Sequence, residues 1–541
     1  MRRDHLNLIV GFVLAAIFGY WLAGTAAPKK AVRQNLSAGN EKPEWKTIKD
    51  EPAVKFRGEE REDRPKSRRD DDAIKEGALE GQRSLVFADR EAMEAFLKKS
   101  ANKVKLLGRI DALHALRVGF SNLDDFESLL SGKEELSLIF PVAIPDPGDG
   151  TAQPGAVALG DGLLDWLGIT EDHTAWGKGV KIAILDTGVA AHAAFGTSIS
   201  GVNLVSPPSD IAQQNGHGTA VASMIIGRGN QTPGVAPSAE IFSYRIADDA
   251  GRSDSFLLAE GIIAAIDGGA QLINISLGSQ GDSALVRNAI AYARKAGAVI
   301  VAATGNNGLN RISYPAANEG VIAVGAVDAE GNHLDFSNTG QQISVSAPGF
   351  GINAAFPGNK AASVSGTSFS SPIFTGVVAA IMTQAGPSRL SPDQAVNLAY
   401  AYLNDGGAAG KDVSLGRGTP DIGRVLNRNR RGIYDAAIAS QRVLPPSSNS
   451  PYGQIEVLVQ NRGTEPLINT NVQVSTPTGV INSNITQLPP NQVQTVRVPI
   501  SRAPQGNITL RFESSVSLSG GFIDTKKSNN RQAQVYAPIT R

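Results

Sequence analysis

The sequence predicts a chain of three folded parts, and the central one is an α/β domain with a doubly wound parallel sheet. Its strands are predicted as short, uninterrupted apolar runs at 180–185, 240–246, 272–275, 298–303 and 321–327. Helical patterns at 255–267 and 283–295 alternate with these runs, as expected for strands that are covered on both faces. A small α+β unit precedes this domain, and an all-β sandwich follows it.

The composition argues against several classes of function. The 541 residues include 51 basic and 51 acidic side chains and no cysteine. Zero net charge argues against a dedicated nucleic-acid-binding protein, because phosphate binding needs a surplus of Lys and Arg. The absence of cysteine excludes disulfides, thiolate zinc sites, iron–sulfur clusters and a cysteine nucleophile. We predict no cofactor and no metal site.

The N-terminus predicts export. A basic start is followed by an apolar run that ends near Ala27, and this resembles a secretory signal that is also nearly long enough to span a bilayer. Residues 1–27 are either a cleaved signal peptide or a retained membrane anchor, so the protein is expected to be secreted, periplasmic or anchored outside the cytoplasm. Residues 28–82 are predicted to be a disordered linker, because 16 of the 22 residues at 55–76 are charged, eight of each sign.

Residues 83–148 return to a globular pattern with the order β-α-β-β-α-β, which is that of a ferredoxin-like unit. The predicted elements are strands at 84–88, 104–112, 113–121 and 136–144 and helices at 91–99 and 124–130. A unit of about 65 residues is small for an independent domain. Residues 145–155 are rich in Pro and Gly and are predicted to be a linker.

Three short motifs of the central domain carry the residues of a nucleophilic site. Asp186 directly follows an apolar strand, His217 lies between two glycines at the head of a helical run, and Ser368 precedes an apolar helix. Each motif alone is weak, because a strand-end Asp is more often structural, a lone His usually satisfies a hydrogen bond, and a Ser at a helix start is usually a cap. Together they supply a hydroxyl nucleophile, a base that can take its proton, and a carboxylate that orients the base.

A fourth motif tests this interpretation. Asn306 follows the apolar run at 299–303 in a polar turn, where it would ordinarily be read as a turn former. An acyl-transfer site needs hydrogen-bond donors for the oxyanion that develops on the substrate. We predict that the side chain of Asn306 is one donor and that the backbone N–H of Ser368 is the other.

The stretch from about 160 to 430 resembles a subtilisin-like serine protease, a subtilase of the peptidase S8 family. The chain order Asp, His, Ser is that of subtilisin and differs from the order in chymotrypsin and in the α/β-hydrolases. Five further blocks match as well, at 234–237, 274–278, 314–316, 347–349 and 416–418. The resemblance implies a catalytic domain at 155–440, hydrolysis of peptide bonds through an acyl-enzyme, and the catalytic roles given above.

The resemblance also implies a substrate site. Two segments would line the pocket for the residue before the scissile bond, Ser276-Leu277-Gly278 and Ala303-Thr304-Gly305. Extended substrate would lie against the edge that begins at Gly251, by strand addition. Neither pocket segment contains an acidic residue, so we expect uncharged, apolar residues at that substrate position.

The family pattern is not matched everywhere. The segment 227–233 is shorter than the loop that holds calcium in secreted members, so that calcium site is not carried over; calcium is left as an alternative without support in the sequence. Ile373 stands where many members have a His, but this position is outside the catalytic set. Residues 83–148 resemble the inhibitory propeptide of subtilases, which would be cut off within the linker; an unrelated α+β module is the alternative.

The C-terminal part leaves two functions open. Residues 451–541 alternate apolar and polar positions, which predicts an immunoglobulin-like β-sandwich, and Asn461-Arg-Gly463-Thr464 resembles a turn of bacterial adhesion modules. A binding role and a spacer role both fit. For the whole chain, the alternative to an endopeptidase is a non-catalytic surface or adhesion protein with a degenerate protease domain. Such a protein should have lost a catalytic residue, and none of the four is missing.

Overall fold

A computed structural model describes residues 70–144, 153–196, 199–205, 215–229, 231–384, 388–444, 453–500 and 509–536. The predicted signal or anchor, most of the charged linker, and positions 145–152 of the second linker lie outside these residues. Within the described ranges, no helix is both long and apolar enough to cross a membrane.

The N-terminal unit is a four-stranded antiparallel sheet with its helices packed against it. The strands are β1 (Gln82–Val86), β2 (Lys105–Ile110), β3 (Ala115–Gly119) and β4 (Glu135–Ser137), and the helices are Asp71–Glu76, Arg90–Ser100 and Leu123–Glu127. The strand order is β2-β3-β1-β4. Leu85, Met93 and Phe126 belong to the core of this unit, and each is almost fully buried.

The folded chain begins earlier than the sequence predicts. Residues 70–82 were assigned to the disordered linker, but Asp71–Glu76 is helical and Asp70 caps it by accepting from the N–H of Ala73. Asp70 is buried and forms an ion pair with the equally buried Arg83. A segment with many charges is typically disordered because its charged side chains stay in water. Here one carboxylate and one guanidinium are buried together as an ion pair, so this part of the segment is folded.

The last strand predicted for this unit, 136–144, is in fact two strands in different sheets. β4 pairs with β1, whereas β5 (Pro141–Ala143) pairs antiparallel with β9 (Arg252–Asp254) of the central domain. The apolar run that suggested one strand therefore crosses from one sheet to another, and period-two patterning cannot show which partner a strand has.

The central domain contains a seven-stranded parallel sheet, which confirms the predicted doubly wound α/β fold. Its strands, in the order β13-β12-β11-β10-β6-β8-β7, are β13 (Ile343–Pro348), β12 (Val321–Val327), β11 (Val299–Ala303), β10 (Leu272–Ile275), β6 (Lys181–Asp186), β8 (Glu240–Arg245) and β7 (Ser200–Asn203). A hairpin of β14 (Ile352–Phe356) and β15 (Lys360–Val364) stands beside it.

Helices cover both faces of this sheet. They are Leu163–Trp166, His217–Ile226, Ser255–Asp267, Ala284–Lys295, Thr367–Gln384, Pro392–Ala401 and Ile422–Asn427. Alternate side chains of β6 enter opposite cores: Ile182 packs with the helices His217–Ile226 and Thr367–Gln384, and Ala183 packs with Ser255–Asp267 and Ala284–Lys295. Because both faces are apolar, the strands read as continuous hydrophobic runs.

The C-terminal part begins before the predicted boundary at residue 451. One sheet has the order β16-β17-β20 and the other the order β19-β18-β21-β22, and residues of both sheets form one core. The strands are β16 (Ala436–Leu444), β17 (Gln454–Asn461), β18 (Leu467–Thr476), β19 (Gly479–Leu488), β20 (Val493–Pro499), β21 (Leu510–Ser517) and β22 (Arg531–Tyr536). The first part of β16 was assigned to the catalytic domain, which was predicted to end at residue 440, but β16 pairs with β17 along its whole length.

A buried polar network joins the central domain to the sandwich. Arg424 donates to the carbonyls of Tyr402 at 3.0 Å and Leu403 at 2.7 Å, and also to Asn491 Oδ1 of the sandwich at 2.7 Å. Gln460 on β17 donates to the carbonyl of Leu403 at 3.0 Å. Burial lowers the pKa of Arg424 to about 10. A buried guanidinium is tolerated only while its donors are satisfied, so the network requires the two parts to stay in contact.

Asp405 lies at the edge of the same network. Its carboxylate accepts from the N–H groups of Gly406 and Gly410, both at 2.8 Å. Burial raises the pKa of this carboxyl to about 6, and these two N–H groups only partly oppose the shift. The folded chain therefore binds a proton here at a pH where the unfolded chain has already lost it.

We expect the stability of the native chain to rise, relative to an Asp405→Asn variant, as the pH falls from 7 to 4. The folded pKa of about 6 is above the ordinary value of 3.8, so the contribution is fully present below about pH 4 and is lost as the pH rises through 6. Its size is up to about 3 kcal/mol. Urea unfolding of both proteins at the two pH values, in a Ser368→Ala background that prevents self-digestion, measures it. A difference that does not change with pH would contradict this assignment.

Candidate active site

The predicted carboxylate and base are in direct contact. Asp186 is the last residue of β6 and is fully buried, and His217 is the first residue of the helix His217–Ile226. The ring nitrogen Nδ1 of His217 lies 2.8 Å from Oδ1 and 2.9 Å from Oδ2 of Asp186. A carboxylate can only accept, so the proton of the neutral ring is on Nδ1 and Nε2 has a free lone pair.

The local backbone explains how this pair forms. Thr187 N–H also donates to Asp186 at 2.7 Å, so the carboxylate is held from two sides. Gly216 has a φ of 76°, a left-handed conformation that starts the helix abruptly at His217. A Cβ at Gly218 would lie 2.3 Å from the carbonyl oxygen of Gly188. The glycines on either side of His217 are thus needed for the turn and for close packing.

Ser368 is the second residue of the helix Thr367–Gln384 and is almost completely buried. Its Oγ donates to the carbonyl of Ser276 at 3.2 Å. Nε2 of His217 is buried and forms no hydrogen bond with any described residue. The ring of Phe369, the next residue, has its centroid 5.4 Å from that of the imidazole. The helix that carries Ser368 therefore packs against the imidazole through Phe369, and Oγ of Ser368 and Nε2 of His217 are not hydrogen-bonded to each other in this structure. Catalytic hydrogen bonds of this kind often form only when substrate binds.

Pro372 determines a second contact of Ser368. A proline lacks the N–H that would bond the carbonyl four residues earlier, which here is the carbonyl of Ser368. That carbonyl instead accepts from Oγ of Ser276 at 2.7 Å. The helix that carries the nucleophile is thus bonded directly to the end of β10.

A buried polar network that sequence reasoning missed strengthens this connection. Asn274 on β10 donates to Oγ of Ser276 at 3.0 Å and accepts from Ser371 at 2.8 Å and Thr375 at 3.1 Å. The available signal was the spacing of Ser371 and Thr375, which are small polar residues one turn apart in an otherwise apolar helix. Asn274 itself lay in a matched block, but no role was assigned to it.

Asn306 is hydrogen-bonded to the first residue of the helix that carries Ser368. Its Oδ1 accepts from the N–H of Thr367 at 2.9 Å and from the hydroxyl of Thr367 at 2.8 Å. Because Oδ1 accepts both of these hydrogen bonds, the amide nitrogen Nδ2 of Asn306 is turned towards Gly366. A Cβ added to Gly366 would lie only 2.9 Å from that nitrogen. Gly366 has a φ of 135° and could not carry a side chain without strain. Asn338, also missed, holds the turn by accepting from the N–H groups of Asn307 and Leu309.

The predicted substrate segments meet around a strand of the chain itself. Ala143 exchanges two backbone hydrogen bonds with Gly278, at 2.9 and 2.8 Å, and the N–H of Ile144 donates to the carbonyl of Gly251 at 3.1 Å. Residues 141–144 therefore lie between β9 and the segment after β10 as the middle strand of three. Backbone pairing of this kind binds a peptide irrespective of its side chains.

The two pocket segments follow neighbouring strands. Ser276-Leu277-Gly278 continues from β10 and Ala303-Thr304-Gly305 from the end of β11, and β10 pairs with β11 in parallel register. Ser276, Leu277, Ala303 and Thr304 are fully buried. Gly305 has a φ of 102°, and a Cβ there would lie 2.4 Å from Nδ2 of Asn338. Across the described residues, no group of three or more His, Asp or Glu side chains is arranged to hold a metal ion.

This set of residues, on this fold, defines a serine endopeptidase of the subtilisin type, and the comparisons agree. Residues 177–418 match the sequence model of the subtilase family, Peptidase_S8. A thermostable alkaline protease of Halalkalibacterium halodurans is 37% identical over 249 residues, which are 45% of this chain and 68% of the relative. Subtilisin BL of Lederbergia lenta is 38% identical over 214 residues, 39% of this chain and 79% of the relative.

The chain belongs to the subtilase family, and it is a subtilisin-like serine endopeptidase and thus a hydrolase. Among solved structures, the protease domain of PatA matches at 32% identity with a TM-score of 0.42, over 47% of this chain and 95% of that one. The family membership makes the alternative of a degenerate, non-catalytic adhesion protein the weaker one.

We expect Asn306→Ala to lower kcat by about 10²–10³ with little change in KM, which is the size of effect known for loss of one oxyanion donor in proteases of this type. The reason is that the donor acts on charge that exists only in the transition state. Steady-state kinetics on a chromogenic peptide measures the effect. Thr367→Val is the control, since it removes a bond that positions Asn306 but leaves the amide donor. A loss of less than tenfold in Asn306→Ala would contradict the role.

Proposed function

We propose that Ser368 is the nucleophile, His217 the general base and Asp186 the residue that orients the base, in an exported endopeptidase. The observation that carries this proposal is the double contact of the Asp186 carboxylate with Nδ1 of His217. It leaves Nε2 as the nitrogen that can accept the proton of Ser368.

The reaction follows from these atoms. As Oγ of Ser368 attacks the substrate carbonyl carbon, its proton passes to Nε2 of His217, and the carbonyl oxygen becomes an oxyanion. The amide of Asn306 and the N–H of Ser368 donate to this oxygen; the N–H is one of the first four of its helix, which have no partner within the helix. The C–N bond then breaks, the amine takes the proton from His217, and water hydrolyses the acyl-enzyme by the same steps.

We further propose that the N-terminal unit is a propeptide that inhibits the enzyme until it is cut off. Support comes from its tail, which occupies the substrate edge in the manner of a bound peptide. More support comes from its close packing on the helix Ser255–Asp267. Gly108 touches the ring of Phe256 so closely that an added Cβ would lie 2.6 Å from the ring. Arg117 also donates to Asp254 at 2.8 Å, with both side chains largely buried.

The register suggests where the chain cuts itself. Ala143 pairs antiparallel with Gly278, so the chain after Ala143 runs in the direction of Ser276. The carbonyl of Ser276 is the group that Ser368 Oγ contacts. We infer that the bond cut lies within the Pro/Gly linker at 145–155.

The proposed substrates are extended protein segments. Their backbone would replace residues 141–144 between β9 and Gly278, and their residue before the scissile bond would enter the pocket of Ser276–Gly278 and Ala303–Gly305. That pocket has no acidic side chain in its two segments, so uncharged, apolar residues are proposed there. Export rests on the basic start and apolar run of residues 1–27, and the enzyme would act outside the cytoplasm.

We expect Ser368→Ala to accumulate the uncut precursor and to lose all labelling by a fluorophosphonate probe. The change removes the only atom that would attack either the linker or the probe. Intact-mass spectrometry reports the cut, and it should find a new N-terminus within the linker at 145–155 in the unaltered protein. Ser370→Ala is the matched control from the same motif, because its hydroxyl donates to the carbonyl of Pro348 and has no role in the reaction. Normal processing in Ser368→Ala would disprove self-cleavage.

We expect Gly108→Leu to shorten the lag between cutting and full activity by about tenfold or more. Leucine at this position cannot fit against the ring of Phe256, so the cut propeptide would dissociate faster. The activity of freshly purified protein followed over time measures the lag. Lys103→Leu, on an exposed turn of the same unit, is the control. Equal lags in both variants would show that this contact does not hold the inhibitor.

A further inference from the structure

The most exposed large apolar side chain in the described part of the chain has no role in the chemistry above. Ile523 is 74% exposed, and its neighbour Phe522 is 45% exposed. They lie at the end of the loop between β21 and β22 of the sandwich, after Gly520 and Gly521, which have φ values of 77° and 82°. We call Phe522 and Ile523 the apolar tip. Two consecutive left-handed glycines form a sharp turn that projects the tip outward.

The loop is firmly held beneath the tip. The ring of Phe522 stacks on that of Tyr434 with centroids 4.6 Å apart. Thr525 donates from its N–H and its hydroxyl to the carbonyl of Tyr434, at 2.8 and 2.9 Å. Asp524 is buried and accepts from the N–H of Ala436 at 2.9 Å. The exposure of the tip is therefore a property of a fixed loop, and little ordering is needed for it to bind something.

Four exposed cationic side chains form what we call the basic rim: Arg430, Arg431, Lys526 and Lys527. Lys526 and Lys527 follow shortly after the tip, and Arg430 and Arg431 shortly precede Tyr434, on which Phe522 stacks. Lys526 also acts electrostatically on the buried carboxylate of Asp435. The acidic side chains of this region are already engaged. Asp435 and Asp524 are buried and hydrogen-bonded, and Glu465 accepts from the N–H of Gly432 at 2.8 Å. These carboxylates keep their charge, but Asp435 and Asp524 are withdrawn from the surface, whereas the four cations of the basic rim are exposed.

We propose that this loop docks the sandwich on an anionic lipid bilayer, with the apolar tip inserted at the boundary of headgroups and acyl chains. The basic rim would contact the lipid phosphates, and Tyr434 would lie at headgroup level. Apolar side chains flanked by Lys and Arg match the two attractive terms of an anionic membrane surface. Two side chains are too small an apolar area for a stable protein interface, which buries at least about 1,200 Å², so the charge and the size both favour the bilayer.

The absence of cysteine makes a local test feasible. Ile523→Cys, in a Ser368→Ala background that prevents self-digestion, carries a single environment-sensitive fluorophore on the full chain. The label reports insertion at the loop itself, so binding through any other segment does not give the signal. Val480→Cys is the matched control, because Val480 is 54% exposed on β19, a strand without charged residues. The probes are vesicles of phosphatidylcholine alone and of equal parts phosphatidylcholine and phosphatidylglycerol.

We expect a blue shift of the label at position 523 with the anionic vesicles only, and none at position 480. It should disappear near 0.5 M salt, where the screening length is only about 4 Å, and Lys526→Glu with Lys527→Glu should weaken binding at least about tenfold. No shift at 523, an equal shift at 480, or an equal shift with neutral vesicles would overturn the proposal. A blue-shifted label at position 523 in the absence of lipid would contradict the proposal if the shift grew with protein concentration. The partner would then be a second copy of the chain.

Discussion

The site depends on one interaction, the contact between the buried carboxylate of Asp186 and the ring of His217. A carboxylate with no exposure to water is unfavourable unless donors surround it, and here the ring and the N–H of Thr187 provide them. The same contact fixes which ring nitrogen is free. The orientation of His217 is therefore a consequence of hydrogen bonding to a buried charge. That charge is at the carboxyl end of β6, because Asp186 is the last residue of this strand.

The nucleophile is positioned by different means. Ser368 comes from a helix that packs on one face of the sheet, and hydrogen bonds to Ser276 in both directions determine its place. The bond that its carbonyl accepts exists because Pro372 leaves this carbonyl without a helical partner. The Asn274 network then joins the same helix to β10 in the dry interior, where hydrogen bonds are stronger and an unpaired group is costly. Rigid support of this kind keeps the reacting atoms within the small tolerance that catalysis allows.

Much of this was predictable from sequence, and the limits have physical reasons. The four catalytic candidates were found because each follows a strand or starts a helix in a motif with glycines, and local patterns carry that information. The Asn274 network was missed because its members are far apart in the chain, and only packing brings them together. The division of 136–144 between two sheets was missed for the same reason: a strand records its own alternation of faces but not its partner. The start of the folded N-terminal unit at Asp70 was missed because it lies in a run of charged residues. Composition alone does not distinguish a charge in an ion pair from a charge in water.

The interface with the sandwich restricts what the C-terminal part can be. A flexible spacer would expose polar residues to water, but Arg424 is buried and Arg462 is half-buried, and desolvation lowers the pKa of each. Arg424 donates to Asn491 across the boundary, while Gln460 of the sandwich bonds Leu403. If the sandwich separated from the catalytic domain, Gln460 would lose its bond to the carbonyl of Leu403, and Arg424 would lose its bond to Asn491. The sandwich is therefore fixed to the catalytic domain, and any surface that its loop at 518–530 binds would hold the enzyme in one orientation.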